Sequence, residues 1–429
     1  MGESRRKRQV TLEGGPALED WRFAKENTTY LVHGLHNYPA RMIPQIAERL
    51  LNLYTEKGDT VLDPFCGSGT TLVEASLAGR NSYGIDINPL ATLIASVKTT
   101  PIDFRKEGFN PTKFLHELEN KYHSAKDVLP SPPARILPNL LHWFKKSVAS
   151  DLEFLYREIS RVRDDEIRNF LKVIFSATVF RTSNIDHRSS RFIRTLSKEQ
   201  LDKFNPNVLS EFHKNLVSAV GRIEGYVRKL RLIDPEEKVE AQVYQLDARQ
   251  LPFSEESVDS IITSPPYGEE KNTVGYVRWA KLSIAWLRLD DHKIKEIQKK
   301  SLGAIKREKV IAYLEELPTK TAKQVLVRLS KVDLKRVEDA LPFFFDYLET
   351  LREMYRVLRN KSCCCIVIGN RSIRKIPLDM EKVTVELASE VGFIHKRSFY
   401  REIPMKLIPW NTPTGKTISE ENIIILEKM

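Results

Sequence analysis

Two short segments combine residue types whose spacing suits chemistry. The first is Val61-Leu62-Asp63-Pro64-Phe65-Cys66-Gly67-Ser68-Gly69-Thr70-Thr71. Gly67 and Gly69 permit a tight turn and let a ligand approach the backbone closely. Asp86 follows 23 residues after Asp63, at the end of what reads as the next strand. A carboxylate at that place accepts both hydroxyls of a ribose, the logic of dinucleotide folds. A nucleoside-containing ligand follows from this arrangement.

The charges decide which nucleoside. A dinucleotide sets its pyrophosphate at the helix N-terminus. Here Asp63 places negative charge at the end of the first strand, and Leu72 stands where G-x-G-x-x-G needs its third glycine. Both features disfavour an NAD oxidoreductase. Asp63 suits instead the ammonium group of S-adenosylmethionine (SAM), which carries an amino acid in place of phosphates. A glycine turn that merely closes a strand–helix junction is the plain alternative, and the flanking acids weigh against it.

The second segment is Asp259-Ser260-Ile261-Ile262-Thr263-Ser264-Pro265-Pro266-Tyr267, a buried strand ending in a rigid turn. Two prolines fix φ and remove two backbone donors. The Ser264 and Pro265 carbonyls are left as acceptors, Ser264 adds a hydroxyl, and Tyr267 adds a flat face. An exocyclic amine on a nucleobase fits this set. It donates to the serine oxygen and a carbonyl, which aims its nitrogen at a methyl donor, while the ring stacks as extruded bases do. The amine itself attacks, so the gain is one of orientation. A plain Pro-Pro turn is the rival reading.

DPFCGSGT followed by TSPPY resembles the amino-methyltransferases of nucleic acids, the N4-cytosine and N6-adenine class. The SPPY form resembles the N4-cytosine branch, since adenine enzymes more often have an acid or asparagine at the serine position. The segment His36-Asn37-Tyr38-Pro39-Ala40-Arg41-Met42-Ile43-Pro44 resembles the family's extra SAM-binding motif. TSPPYGEEKNTVGYVRWAKLSIAWL resembles modification methylases that produce N4-methylcytosine, and IPWNTPTGKTISEENIIILEK resembles their closing hairpin. The resemblance covers residues 30–100 and 240–290, and 340–429 more loosely. It implies a Rossmann-like class I α/β fold, mostly parallel with an antiparallel C-terminal hairpin. It implies that Asp63, Phe65, Gly67, Gly69 and Thr70 line SAM, with Asp86 on the ribose, Asp247 near the adenine, and Tyr38 and Pro39 closing the methionine side. Ser264, Pro265, Pro266 and Tyr267 would hold the target base. The implied activity is cytosine-N4 methylation of DNA. An RNA cytidine enzyme, an adenine-N6 enzyme and a silent binding module are the alternatives.

Elements must position these residues. Residues 1–28 read as a basic tail. Ile43, Ile46, Ala47, Leu50, Leu51 and Tyr54 repeat at helical spacing between 40 and 54. A strand at 60–62, a helix at 70–79 and a strand at 82–85 follow, and Pro89 opens another helix. This rhythm signals a parallel sheet with crossover helices. It makes residues 29–100 the SAM-binding half. The rhythm stops over 101–240, read as a helical insertion of possible substrate recognition. Strands resume at 241–246 and 258–263, within a catalytic half ending at 290. A Lys-rich helical insertion spans 291–338. The remaining 339–429 hold a helix at 343–359, a strand at 363–368, a helix near 380–391 and strands near 393–400 and 422–427.

Weaker signals remain. Arg188, Arg191 and Arg194 lie in a polar stretch that would grip phosphates; a solvated loop is the plain reading. Trp279 and Trp286 read as core, as do the small Cys66 and the run Cys363 to Cys365. Sixty-eight Lys plus Arg against 57 Asp plus Glu leave a net charge of +11, which favours an anionic partner. With 41% hydrophobic residues the chain is not disordered, and no apolar run of about 18 residues suggests a membrane span. Four cysteines without a C-x-x-C pair, and nine histidines without a ligand pattern, give no metal site and read as a reduced, cytoplasmic protein.

Overall fold

The computed structural model describes residues 20–429 except 134–135, 187–194, 234–238, 270–274, 290–293, 305–309, 404–410, 413–414 and 417–418. The first strands are β1 (Thr60–Asp63), β2 (Asn81–Ile85), β3 (Ala241–Tyr244), β4 (Ser260–Thr263) and β5 (Cys363–Gly369). A hairpin of β6 (Arg371–Ile373) and β7 (Ile376–Leu378) follows, then β8 (Ile394–Glu402), the short pair β9 (Asn411–Thr412) and β10 (Gly415–Lys416), and β11 (Glu420–Glu427). Seven of these form one sheet in the order β3-β2-β1-β4-β5-β11-β8. β3 to β5 run parallel, while β11 runs antiparallel to both β5 and β8.

The sheet is covered on both faces, which explains its unbroken apolar runs. Successive strand residues point to opposite faces. Val61, Ile262, Cys365, Val367, Ile423 and Ile425 pack with α1 (Pro44–Tyr54) on one side. Leu62, Ile261, Cys364, Ile366, Ile424 and Leu426 pack on the other. That second layer holds α13 (Lys320–Ser330), α14 (Leu334–Val357) and α15 (Met380–Val391). Cys364 and Cys365 are thus ordinary core on a strand with two buried faces, as their sequence context suggests, while Cys363 at the start of the strand is partly exposed.

The crossover helices are α2 (Thr70–Leu77) and α3 (Pro89–Thr99). Against them lies a helical layer of α4 (Pro111–Ala125), α5 (Leu140–Trp143), α6 (Lys146–Ser160), α7 (Asp165–Thr182), α8 (Lys198–Lys203) and α9 (Val208–Ile233). Its long members, with α10 (Tyr276–Trp286), share one core with α2 and α3. Phe144 and Phe175 meet Trp286 edge-on at its centre. The segment 101–240 is helical as its periodicity suggests, but it does not stand apart as a body of its own.

Two elements differ from their sequence reading. The helix expected at 343–359 begins at Leu334, capped by Asp333, whose carboxylate accepts from the Arg336 N–H at 3.0 Å. Pro342 sits inside α14. Burial of Val337, Ala340 and Leu341 ahead of it outweighs the lost backbone bond. The β6–β7 hairpin went unforeseen. Its turn residues Arg374 and Lys375 have φ of 49° and 67°, a conformation that sequence usually announces with Asn or Gly.

Candidate active site

The carboxyl ends of four parallel strands open into one cleft of about 1040 Å³, counting its solvent-open mouth. β1 delivers Asp63, β2 leads to Asp86, β3 to Asp247 and β4 to Ser264, and all four line the cleft. Tyr38, Pro39, Phe65, Gly67, Thr70 and Pro266 line it too. This is where open α/β sheets place ligands.

Asp63 is 3% exposed. Its Oδ1 accepts from the Phe65 N–H at 3.1 Å and the Thr263 hydroxyl at 2.6 Å. Burial pushes its pKa up to about 6, against the pull of Thr263, Thr71 and the Phe65 N–H. Asp86 holds the glycine turn from below: Oδ2 accepts from the Gly67 N–H at 3.0 Å and Oδ1 from the Asn88 N–H at 2.8 Å. Gly69, at φ 81°, opens α2 and is excluded from side-chain growth by Ala95 of α3. It shapes the turn from behind.

Aromatic residues build the opposite wall. Tyr38 is buried, stacks on Tyr276 at 6.2 Å between centroids, and meets Trp279 edge-on. Its hydroxyl accepts from the Asn88 amide at 3.2 Å. Trp279 therefore touches the site through Tyr38, while Trp286 is wholly core.

The proline turn is held from several sides. The Ser264 hydroxyl donates to the Val367 carbonyl at 2.9 Å. Its one proton is spent inward, so its oxygen can act only as an acceptor, and the Tyr267 side chain lies beside it. Pro265 is buried beneath the turn. Tyr267 lies behind the cleft wall, half-buried against the core under α14, and its hydroxyl donates to Glu421 Oε1 at 2.9 Å. Its ring does not line the cleft in this conformation.

Several cleft residues escaped the sequence reading: Arg41, Met42, Ser68, Tyr276 and the run Lys300 to Leu302. The last belongs to the Lys-rich segment. Helices α11 (Ile294–Lys300) and α12 (Val310–Glu316) flank it. Arg249 ties it down, pairing with Asp247 at 2.7 Å and Asp346 at 3.1 Å and donating to the Lys300 carbonyl at 3.0 Å. Arg41 and Met42 sit in the quoted His36–Pro44 motif, so proximity to Tyr38 was a usable signal. Lys300 to Leu302 offered none. Arg188, Arg191 and Arg194 lie outside the described residues.

A sheet in this order, with acids at the ends of β1 and β2, defines a Rossmann-like class I methyltransferase. Comparison with known proteins narrows the class. A family described as DNA methylase matches residues 3–96. The chain is 32% identical to the Type II methyltransferase M.MvaI of Kocuria varians, over 94% of this chain and 93% of that one. It is 25% identical to the Type II methyltransferase M.MjaII of Methanocaldococcus jannaschii, over 58% of this chain and 62% of that one. The Type II methyltransferase M.BsoBI of Geobacillus stearothermophilus is also 25% identical, over 65% and 57%. The chain belongs to this family of DNA amino-methyltransferases of the N4/N6 class, and its cofactor is SAM.

Proposed function

We propose that the chain transfers a methyl group from SAM to the exocyclic N4 amine of cytosine in DNA, as the modification methylase of a cytoplasmic Type II system. The observation that supports this reading is the Ser264 hydroxyl at the cleft, which gives its proton to the Val367 carbonyl and so can meet an amine only as an acceptor. The serine at this position favours cytosine over adenine, by the SPPY form stated above.

The cleft fits SAM in charge. Asp63 receives the ammonium, Asp86 the ribose hydroxyls, and Asp247 the adenine end. Tyr38 and Pro39 close the methionine side, and Phe65, Gly67, Gly69 and Thr70 shape the floor. SAM supplies a methyl carbon made electrophilic by its sulfonium. Ser264 and the Pro265 carbonyl accept the two amine hydrogens, which turns the nitrogen lone pair out of the ring and toward that carbon. The amine lone pair would form the N–C bond as the C–S pair returned to sulfur, and the surplus amine proton would pass to water. Alignment supplies the rate. Tyr267 would have to swing from behind the wall to stack on the base; Tyr276 already faces the cleft.

Nucleosides from DNA methylated by the chain should contain N4-methylcytosine. Mass spectrometry with chromatography separates it from 5-methylcytosine and N6-methyladenine. Finding 5-methylcytosine overturns the amine chemistry, and N6-methyladenine corrects the base. Methylation of RNA in preference to duplex DNA corrects the substrate.

A further inference from the structure

Just beyond the proline turn a buried acid is gripped by two arginines. Glu269 is 2% exposed, two positions beyond Tyr267. Its Oε2 accepts from Arg371 Nη1 at 3.0 Å and its Oε1 from Arg371 Nη2 at 3.3 Å, a forked pair. Oε1 also receives Arg336 Nη2. Both arginines are themselves nearly buried, 7% and 12% exposed. Burial favours the neutral acid, yet the two guanidiniums hold the carboxyl below its usual range.

Arg371 does a second thing. Its Nη1 also donates to the Tyr267 carbonyl at 3.2 Å. A guanidinium is planar and rigid, so fixing one edge fixes the others. Glu269 therefore sets the plane of Arg371, and Arg371 holds the main chain where the proline turn ends. Arg336 lies in the first turn of α14, at the end of the Lys-rich segment. Gly303 of that segment leaves no room for a side chain, since a Cβ there would stand 3.1 Å from the Glu269 Cβ. The clamp thus joins the turn to β6 and to α14.

We infer that Glu269 is a positioning residue for methyl transfer: clamped between Arg371 and Arg336, it fixes the acceptor carbonyls of the Ser264–Tyr267 turn on the target amine. This rests on the reading of that turn as the base-holding element. Removing the carboxylate leaves two buried cations facing each other. Arg371 is then driven out of plane, and the Tyr267 carbonyl loses its donor. The pair of ligands is untouched, so the defect belongs to the reaction step and not to binding. An interaction that acts through alignment shows in this way.

The test uses the full chain, SAM and a methylatable duplex oligonucleotide. Glu269→Gln and Arg336→Met are compared with Ser264→Ala as the reference for the turn. Single-turnover rate, SAM Kd by calorimetry, duplex Kd and melting temperature are read for each. Glu269→Gln should slow methyl transfer about a hundredfold and Arg336→Met about tenfold, with both Kd values within threefold of the parent. Should Glu269→Gln fail to fold, Arg336→Met decides alone, because it keeps the Glu269–Arg371 fork. A folded Arg336→Met with the parent rate overturns the inference. So does a loss of rate matched by equal losses in SAM affinity and melting temperature, which marks a general support. A normal rate in Ser264→Ala sinks the base-holding reading itself, and the inference with it.

Discussion

At the scale of residues, the proposed cofactor end of the site puts two acids, Asp63 and Asp86, to different duties. Asp86→Ala removes the acceptors proposed for two ribose hydroxyls and also frees the Gly67 and Asn88 amides. Hydrogen bonds to a charged group contribute about 1.5–3 kcal/mol, so SAM affinity should fall about 10- to 100-fold. Asp86→Asn keeps one acceptor oxygen and should fall less; calorimetry on both variants separates the ribose from the turn. Asp63 gives a pH signature. Its folded pKa of about 6 lies above the ordinary 3.8. A carboxyl so raised favours the protonated state, so it costs stability as pH rises from about 4 to 6 and none below that range. The cofactor needs the opposite state, because only the carboxylate attracts an ammonium. SAM Kd should therefore rise as pH drops below about 6, toward tenfold per unit. Asp63→Asn should bind weakly and without that slope. An unchanged Kd between pH 5 and 7 in the parent protein removes Asp63 from the ammonium site.

At the scale of elements, the legible parts were those whose pattern is local. β1, β2, β4 and β5 announce themselves as short apolar runs bounded by turn residues, and their alternate burial on two faces follows from strand geometry. The glycine turn was legible because its φ demands leave a mark in the sequence. Gly69→Ala tests this. A side chain there takes an unfavourable φ and stands 3.0 Å from Ala95. Overpacking of this kind costs about 1–3 kcal/mol, to be seen as a lower melting temperature together with weaker SAM binding. What stayed illegible was whatever depends on a distant partner. Tyr276 reaches the cleft only because α10 turns it toward Tyr38. Lys300 to Leu302 reach it between two distant anchors, Arg249 on the Lys300 carbonyl and Asp346 on the Gly303 N–H. Tyr267 was read as facing the base, and nothing local tells that Glu421, 154 residues away, takes its hydroxyl. The expected start of α14 at 343 lies nine residues late, since the helix runs through Pro342 from Leu334.

At the scale of the whole molecule, the helices of 101–240 and the first half of the sheet stand or fall together. Val73, Leu90 and Ile94 of the crossover helices are buried by the same cluster as Phe170, Phe175 and Phe212. Replacing 101–240 by a short linker should yield aggregated chain, checked by size-exclusion chromatography of the soluble fraction. A monodisperse, SAM-binding remnant would show that the layer is dispensable. The sheet carries a similar dependence in time. β11 lies between β5 and β8, although both are made before it. Until Ile423 to Leu426 emerge from the ribosome, the two strands that flank β11 in the finished sheet lack the partner that joins them. Both present open edges of unpaired amides and carbonyls, the usual template for wrong pairing. Closure of this half of the molecule must therefore wait for synthesis to reach β11, and a pause before it leaves a chain that chaperones have to guard.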